Sequence, residues 1–564
     1  MQNINLPELL APAGSPEAAR AAICAGADAI YLGMTTFSAR AYAKNFSRDD
    51  LLSTLADAHG AGVRVYVTIN TAILDRELSQ AIELVDFLYG AGVDALIVSD
   101  LGFASAVSAR YPDLPLHAST QCSGHNARAA KFLAEHGFSL MVCAREVDRD
   151  NMRTLVQNSP IPIEVFVHGA LCVSASGQCL MSSMIGGRSG NRGECAQPCR
   201  MPYNGRYPLS LKDNCLAAHI TELIDMGVAS LKLEGRMKSP DYVSAVVSVY
   251  RRLLDEHRNA TDREIEYLAG VFSRDGFTDG YFTGDHKGMN GVRSDKDKEA
   301  TAGTRPLYAP KMPERAPIEL YDRSVCEQPF RLQKSTHFAD HPLRSARFYD
   351  AGTIPSDHDF DIVYLPLDRF RRGRANGVIL PPVIFDGDVA EVEKKLSIAA
   401  RDGAEHVLVG NVGHIELARR SGLHIHGDFR LNITNSLTAE LFDKLFDDFL
   451  LSPELTLPQI RDIGGEKSVI VYGRFPLMLL EKTCTTTTLV DRRRVSFPVL
   501  PEGGREIVFN SVPLYMADRA AELKKAGTFG RHFIFTIEGP QEVKYTLVNY
   551  KKGLPTKKEV RRLK

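Results

Sequence analysis

Residues 8–33 read ELLAPAGSPEAARAAICAGADAIYLG. Two short apolar runs, Glu8–Pro12 and Ala29–Gly33, flank an amphipathic stretch, Pro16–Gly26, which closes on a glycine as a helix C-terminus prefers. Strand, helix and strand in such quick succession is the repeating unit of a parallel sheet. Working outward, further candidate strands fall at Val63–Asn70, Ala95–Ser99, Leu114–Ala118, Leu140–Cys143, Ile163–Val167 and Ser230–Glu234. Amphipathic segments such as Asp49–Gly60 separate most of them. The strands are unbroken apolar runs rather than alternations, as expected when both faces of a sheet are buried. Eight such strands predict an α/β fold, a (β/α)8 TIM-like barrel over residues 1–288.

One connection breaks the rhythm. Residues 168–229 separate the seventh strand from the eighth, where a barrel loop usually needs only about 2–6 residues. An insertion there emerges on the side where barrel enzymes build their active sites. It carries the spacing Cys172-x6-Cys179-x15-Cys195-x3-Cys199, set among Gly169, Gly177, Gly186, Gly187, Gly190 and Gly193. Glycines permit the tight turns that could bring four thiols to one centre. Arg188, Arg192 and Arg200 would favour thiolates and offset the charge of a bound cluster.

The chain has 564 residues and a formal net charge of −1, so nothing global points to a nucleic-acid binder and any basic surface must be local. No apolar run is long enough to span a bilayer, and the N-terminus lacks the pattern of a signal peptide, so a cytoplasmic setting is expected. In a reducing compartment, clustered cysteines point to a metal or to catalysis rather than to disulfides. Of the other cysteines, Cys24 and Cys143 read as core residues. From spacing alone an iron–sulfur cluster and a structural zinc both stay open. Zinc sites usually show Cys-x2-Cys pairs, which are missing from the set, whereas cubane clusters tolerate varied spacing.

The second half looks like a diverged copy of the first. DALIVSDLGFASAVSARYPDLPLHASTQCSGHN from Asp94 resembles HVLVGNVGHIELARRSGLHIHGDFRLNITNS from His406, setting His117 against His426 and Asn126 against Asn435. EVFVHGALC from Glu164 lines up with VIVYGRFPL from Val469, and Pro476 falls near the position of Cys172. The expected layout is a linker over 289–316, a second, non-catalytic α/β barrel-like unit over 317–540 and a basic tail over 541–564.

EVFVHGALCVSASGQCLMS from Glu164 resembles the signature of the peptidase U32, or collagenase-like protease, family. The segments LLAPAGSPEAARAAICAGADAIYLG, RGECAQPCRMPY and LKLEGRMKSPDYV are also similar to family segments. The resemblance implies divided expectations. Some members are named for proteolysis. Others hydroxylate a pyrimidine of tRNA or 23S rRNA at carbon 5, depending on iron–sulfur supply and prephenate and not on oxygen. A further pair hydroxylates quinone precursors, each subunit carrying a four-cysteine [4Fe–4S] cluster. In that pair two or three of the ligands fall in the region matched here by Cys172, Cys179 and Cys195. Taken with the spacing, which adds Cys199, this gives the expectation of a [4Fe–4S] cluster on Cys172, Cys179, Cys195 and Cys199, with zinc as the alternative. The resemblance further implies rRNA or tRNA as partner, prephenate as co-substrate and an electron donor.

For proteolysis the chain offers no H-E-x-x-H or G-x-S-x-G, and a Cys172–His168 dyad would lack a third group. Candidate substrate-facing residues at the strand ends are Arg145, His168, Glu234 and Arg236. An arginine fork suits a carboxylate, although Glu234 and Arg236 could equally form a rim ion pair. Asp100 and Asn70 are weaker candidates of the same kind. Arg188, Arg192, Arg200, Arg206 and the terminal basic run could supply a local RNA-binding surface.

Overall fold

The computed structural model describes residues 6–563 apart from 41–42, 296, 298–305, 320–322, 333, 335–342, 466 and 529. Its first unit is the expected barrel. The strands are β1 (Glu8–Pro12), β2 (Ala29–Gly33), β3 (Arg64–Ile69), β4 (Ala95–Val98), β5 (Leu116–Ala118), β6 (Leu140–Val142) and β7 (Ile163–Ala170). After a short β8 (Asp213–Cys215), β9 (Ser230–Leu233) completes the ring. Each barrel strand pairs in parallel with the next, and β9 pairs with both β7 and β1. Helices form where their ends are capped. The helix Pro16–Cys24, for example, starts with Ser15 accepting the Ala18 amide and Pro16 in the first turn.

Alternate strand residues serve two cores. Leu9, Ala11, Ile30 and Leu32 pack outward against helices, while Leu10, Ala29, Tyr31 and Tyr66 fill the lumen. The lumen also buries an ion pair, Lys232 Nζ to Glu164 Oε1 at 2.6 Å. Beyond β7 the chain reverses, and β8 runs antiparallel along its end. Gly169 allows this. Its φ is +104°, and a Cβ there would lie 2.7 Å from the Glu234 carbonyl oxygen. A short β10 (Phe277–Thr278) extends the sheet from β8.

The second unit repeats this plan. Its strands β11 (Leu343–Phe348), β12 (Ile362–Pro366), β13 (Gly377–Ile379), β14 (His406–Val409), β15 (His424–Gly427) and β16 (Asp448–Phe449) pair in parallel order. β17 (Ser468–Gly473) follows. Between it and β22 (Leu514–Tyr515) lies an antiparallel sheet of β18 (Pro476–Leu480), β19 (Thr488–Val490), β20 (Ser496–Glu502) and β21 (Arg505–Phe509). Finally β23 (Gly530–Phe535) inserts between β11 and β17. The curled sheet touches itself through one parallel bridge, Leu450 to Ser468. Detail repeats as well. Tyr250 donates to the Val167 carbonyl (3.0 Å) as Tyr550 does to that of Val471 (2.7 Å), and β22 runs antiparallel to β17 as β8 does to β7.

The two units meet about a pseudo-twofold axis. Asn126 Nδ2 donates to the Ile384 carbonyl at 2.8 Å, and Asn435 Nδ2 donates to that of Ile73 at 2.9 Å. The next amides, of Ala127 and Ser436, donate to Asp386 and Asp75. Described residues ahead of the second sheet lie against the first barrel: Arg315 donates to the Ala27 carbonyl at 2.9 Å, the Ile318 amide to that of His59 and Arg323 to that of Val93, while Arg110 donates to the Cys326 and Gln328 carbonyls. The first described strand of the second sheet is β11, Leu343–Phe348. Residues 541–552 belong to the helix Pro540–Lys552, which buries Val543, Thr546 and Asn549, and Arg561 is tied to the Met184 carbonyl. No described helix is long and apolar enough to cross a membrane.

Candidate active site at the mouth of the first barrel

Two adjoining cavities open at the C-terminal ends of the barrel strands. The smaller, about 90 Å³, sits in the lumen between Tyr31, Asn70, Phe166, Lys232 and a group of charged residues, Arg40, Arg145, Glu234 and Arg236. The larger, about 570 Å³, is walled by the insertion and contains all four clustered cysteines, Cys172, Cys179, Cys195 and Cys199. Arg40, Gln121, Arg145 and Glu234 line both and so form the partition.

The partition is electrostatically organised. Arg40 Nη2 lies 3.3 Å from Glu234 Oε1, and Arg145 Nη2 lies 3.7 Å from Glu234 Oε2. Burial would raise the Glu234 carboxyl, but Arg40, Arg145 and Arg236 outweigh it and hold it below the ordinary value. Arg236 does not pair directly with Glu234. Its Nη1 donates to Ser38 Oγ (2.7 Å) and Thr68 Oγ1 (3.1 Å). Burial, reinforced by Arg40, lowers it to about 10. Arg145 stacks its guanidinium 4.2 Å over Phe166, and its buried Nε has no hydrogen-bond partner among the described residues. Three guanidinium groups against one carboxylate leave the pocket net positive, with donors unspent.

The cysteine segment is held from three sides. Glu146, buried beside β6, accepts from the Ser176 amide and hydroxyl, both at 2.8 Å, and pairs with His125 at 2.6 Å, fixing the turn between Cys172 and Cys179. Arg200 donates to the Leu171 carbonyl (2.8 Å) and to that of Leu211, tying the chain after Cys199 to the chain before Cys172. The second unit closes the third side. The Ala175 and Leu180 amides donate to Leu479 and Leu477 of β18, and Met478 between them lines the cavity. Cys179 senses the other three thiols, and burial raises Cys172, Cys179 and Cys199, the last to about 12. Cys195 is exposed. Among the described residues, no three Cys, His, Asp or Glu groups close on a point that could hold a metal ion.

Other expected residues fall elsewhere. His168 lines neither cavity. It lies under the helix Pro240–Asp255, with Nδ1 3.3 Å from the Tyr250 hydroxyl and its ring against Phe277, and burial pushes it down to about 3. It therefore makes no dyad with Cys172. Asp100 caps the helix Leu101–Arg110 and binds Asn435 and Thr438 of the second unit, a junction role. Asn70 faces the small cavity and accepts the Ala39 amide. Arg192 is committed to Glu77 and the Ala72 carbonyl, which removes it, with Arg200, from any free RNA surface. Cys24 is exposed, because the helix ending there buries Ala18, Ala19, Ala22 and Ile23 instead. Sequence reading missed Arg40. Its position after β2, at the same barrel face as the other rim residues, was the available signal.

Fold and site define an α/β-barrel protein with a thiol-walled cavity beside an arginine-lined pocket. The model of peptidase family U32 matches residues 14–290. Over 259 residues the chain is 45% identical to the 23S rRNA 5-hydroxycytidine C2501 synthase of Escherichia coli K12, covering 44% of this chain and 39% of that protein. It is 35% identical over 317 residues to a collagenase of Porphyromonas gingivalis W83 (51% and 76% covered). It is 30% identical over 336 residues to tRNA hydroxylation protein P of E. coli K12 (49% and 74% covered). The chain belongs to the U32 peptidase family. The names within that family divide between proteolysis and RNA hydroxylation.

Proposed function

We propose that the protein hydroxylates a pyrimidine of rRNA or tRNA at carbon 5 without molecular oxygen, the oxygen atom coming from water or a hydroxyl-bearing co-substrate and the two electrons released passing to an external electron acceptor. In this reading Cys172, Cys179, Cys195 and Cys199 hold a [4Fe–4S] cluster, and prephenate binds at the arginine partition, one carboxylate in the lumen pocket and the rest of the molecule in the adjoining cavity. The observation that carries the reading is the adjacency of four thiols and three guanidinium groups across one partition. The donor set, thiols without imidazole, suits an iron–sulfur group. A lone zinc ion is less well served. At a Zn–S distance of about 2.3 Å it needs thiolates drawn together, whereas these ring a cavity of about 570 Å³. When bound, such a cluster supplies one-electron transfer, with a potential tuned by its surroundings.

The chain's own residues have separable tasks. Arg145, Arg40 and Arg236 bind carboxylates, with Glu234 keeping the forks apart and oriented. Lys238 lines the thiol cavity, and burial lowers its amine to about 7, so Nζ can hold or release a proton near neutrality. The relatives named for rRNA and tRNA hydroxylation support the RNA substrate. Among the described residues, no Cys–His dyad supports the peptidase alternative.

The test is anaerobic purification with iron, sulfide and zinc analysis, joined to mass spectrometry of RNA nucleosides from a deletion strain. Four irons and four sulfides per chain, and loss of a 5-hydroxypyrimidine restored by the wild type but not by Cys172→Ala/Cys179→Ala, are expected. Stoichiometric zinc, or an unchanged nucleoside profile, overturns the reading. Peptide cleavage surviving the double substitution would favour proteolysis.

A further inference from the structure

The antiparallel sheet of the second unit reaches back across the first, and its β19–β20 hairpin turns through Asp491-Arg492-Arg493-Arg494. Asp491 Oδ1 accepts the Arg493 and Val495 amides at 2.8 and 2.9 Å, so the turn is fixed from within. The three arginines are exposed, and none has a side-chain hydrogen bond or ion pair among the described residues. Three adjacent like charges repel one another, so folding alone gives no reason for them.

This hairpin is clamped to the cysteine segment. Tyr203 and Arg206 exchange both backbone hydrogen bonds, at 2.7 and 2.9 Å. Between them Asn204 and Gly205 have φ of +52° and +71°, as a tight two-residue hairpin turn requires. Asn204 then pairs with β19. Its amide donates to the Val490 carbonyl, its Nδ2 to that of Thr488, and its Oδ1 accepts the Val490 amide, all at 2.9 Å. Behind it, the Tyr203 hydroxyl donates to the carbonyl of Pro198, next to Cys199, and its ring meets Phe497 of β20 edge-on. Arginine turn, clamp and cavity wall are thus one continuous piece. Arg206 and Tyr207 are exposed on the same clamp.

We propose that Arg492, Arg493 and Arg494, with Arg206 and Tyr207, form a docking arm for single-stranded RNA at the edge of the cysteine cavity. Guanidinium forks suit phosphates, and an exposed tyrosine offers a stacking face for an unpaired base. With a net charge of −1, the chain has no global attraction for RNA, so capture has to be local. The inference rests on the RNA reading above and adds to it the surface that presents the strand.

Fluorescence anisotropy with a labelled RNA stem–loop carrying a pyrimidine loop, over a series of potassium chloride concentrations, tests it. Each phosphate contact to a single strand contributes about 0.7 to the slope of log K against log salt. Arg492→Ala/Arg493→Ala/Arg494→Ala should therefore flatten the slope by about 2, while the triple lysine variant keeps it. Lys551→Ala/Lys552→Ala/Lys557→Ala removes equal charge elsewhere and should leave the slope alone. An unchanged slope in the alanine triple, with wild-type binding intact, overturns the arm and spares the RNA reading. So does an equal loss in the lysine-tail variant. If the wild type binds no RNA, or prefers polyglutamate, both fall.

Discussion

Replacing Arg145 with glutamine probes the lumen pocket most directly. Its Nη2 stands 3.7 Å from Glu234, beyond hydrogen-bond range, and its buried Nε is unpartnered among the described residues, which leave most of its donor capacity unspent. A carboxylate ligand would claim it. A hydrogen bond to a charged group contributes about 1.5–3 kcal/mol, equivalent to about 10- to 150-fold in Kd. The bare Coulomb figure at 4 Å, about 4 kcal/mol at an effective dielectric constant of 20, is an upper limit. Arg40 and Arg236 remain to share the ligand's charge, so the hydrogen-bond figure decides. Glutamine also leaves Glu234 with Arg40 as its one direct partner, which strengthens repulsion of the ligand and favours the upper part of the range. Isothermal titration calorimetry of prephenate against wild type, Arg145→Gln and Arg145→Lys measures this, with circular dichroism checking the fold. Lysine, a point charge without the fork, should fall between the two. If Arg145→Gln binds within about threefold of wild type, Arg145 serves only as a partner of Glu234 and the reasoning fails.

Glu146→Ala should loosen the turn between Cys172 and Cys179. It strands a buried histidine and a buried amide, at about 3–5 kcal/mol, readable by urea denaturation and as iron lost from anaerobically purified protein. Stability and iron both matching wild type would show that the turn is held by other contacts. Lys238 gives a pH signature. Burial lowers its amine to about 7 in the fold, whereas the unfolded chain holds the proton up to the ordinary value near 10.5. Between these values the unfolded state binds more protons, so folding stability gains a component as pH rises from 7 to 10.5. In Lys238→Met that component should vanish from thermal melts across the range. An identical pH slope in the two proteins would refute it.

Much of the site could be read one residue at a time. The cysteines announced themselves by density within a glycine-rich insertion, and Arg145, Glu234 and Arg236 by standing at strand ends. His168 stands at a strand end too, but the register shift between Phe166 and His168 turns it toward Tyr250. A one-residue shift in a strand reverses the face, and nothing local in EVFVHGALC marks it. Arg40 carried the same signal, a place in the loop after β2, whereas Met478 was hidden for a different reason. Met478 reaches the site from the second unit, across contacts that a linear reading does not contain.

The alternation of apolar runs, caps and closing glycines determined the first barrel, because those signals act within a few residues, and the likeness of the stretch from His406 to that from Asp94 revealed the second copy. Tertiary structure alone decided how the copies face each other about Asn126 and Asn435, and which arginine forks stay free beside the thiols. Facing and pairing depend on groups brought together after the chain has closed on itself, and their energies belong to contacts rather than to any stretch of residues.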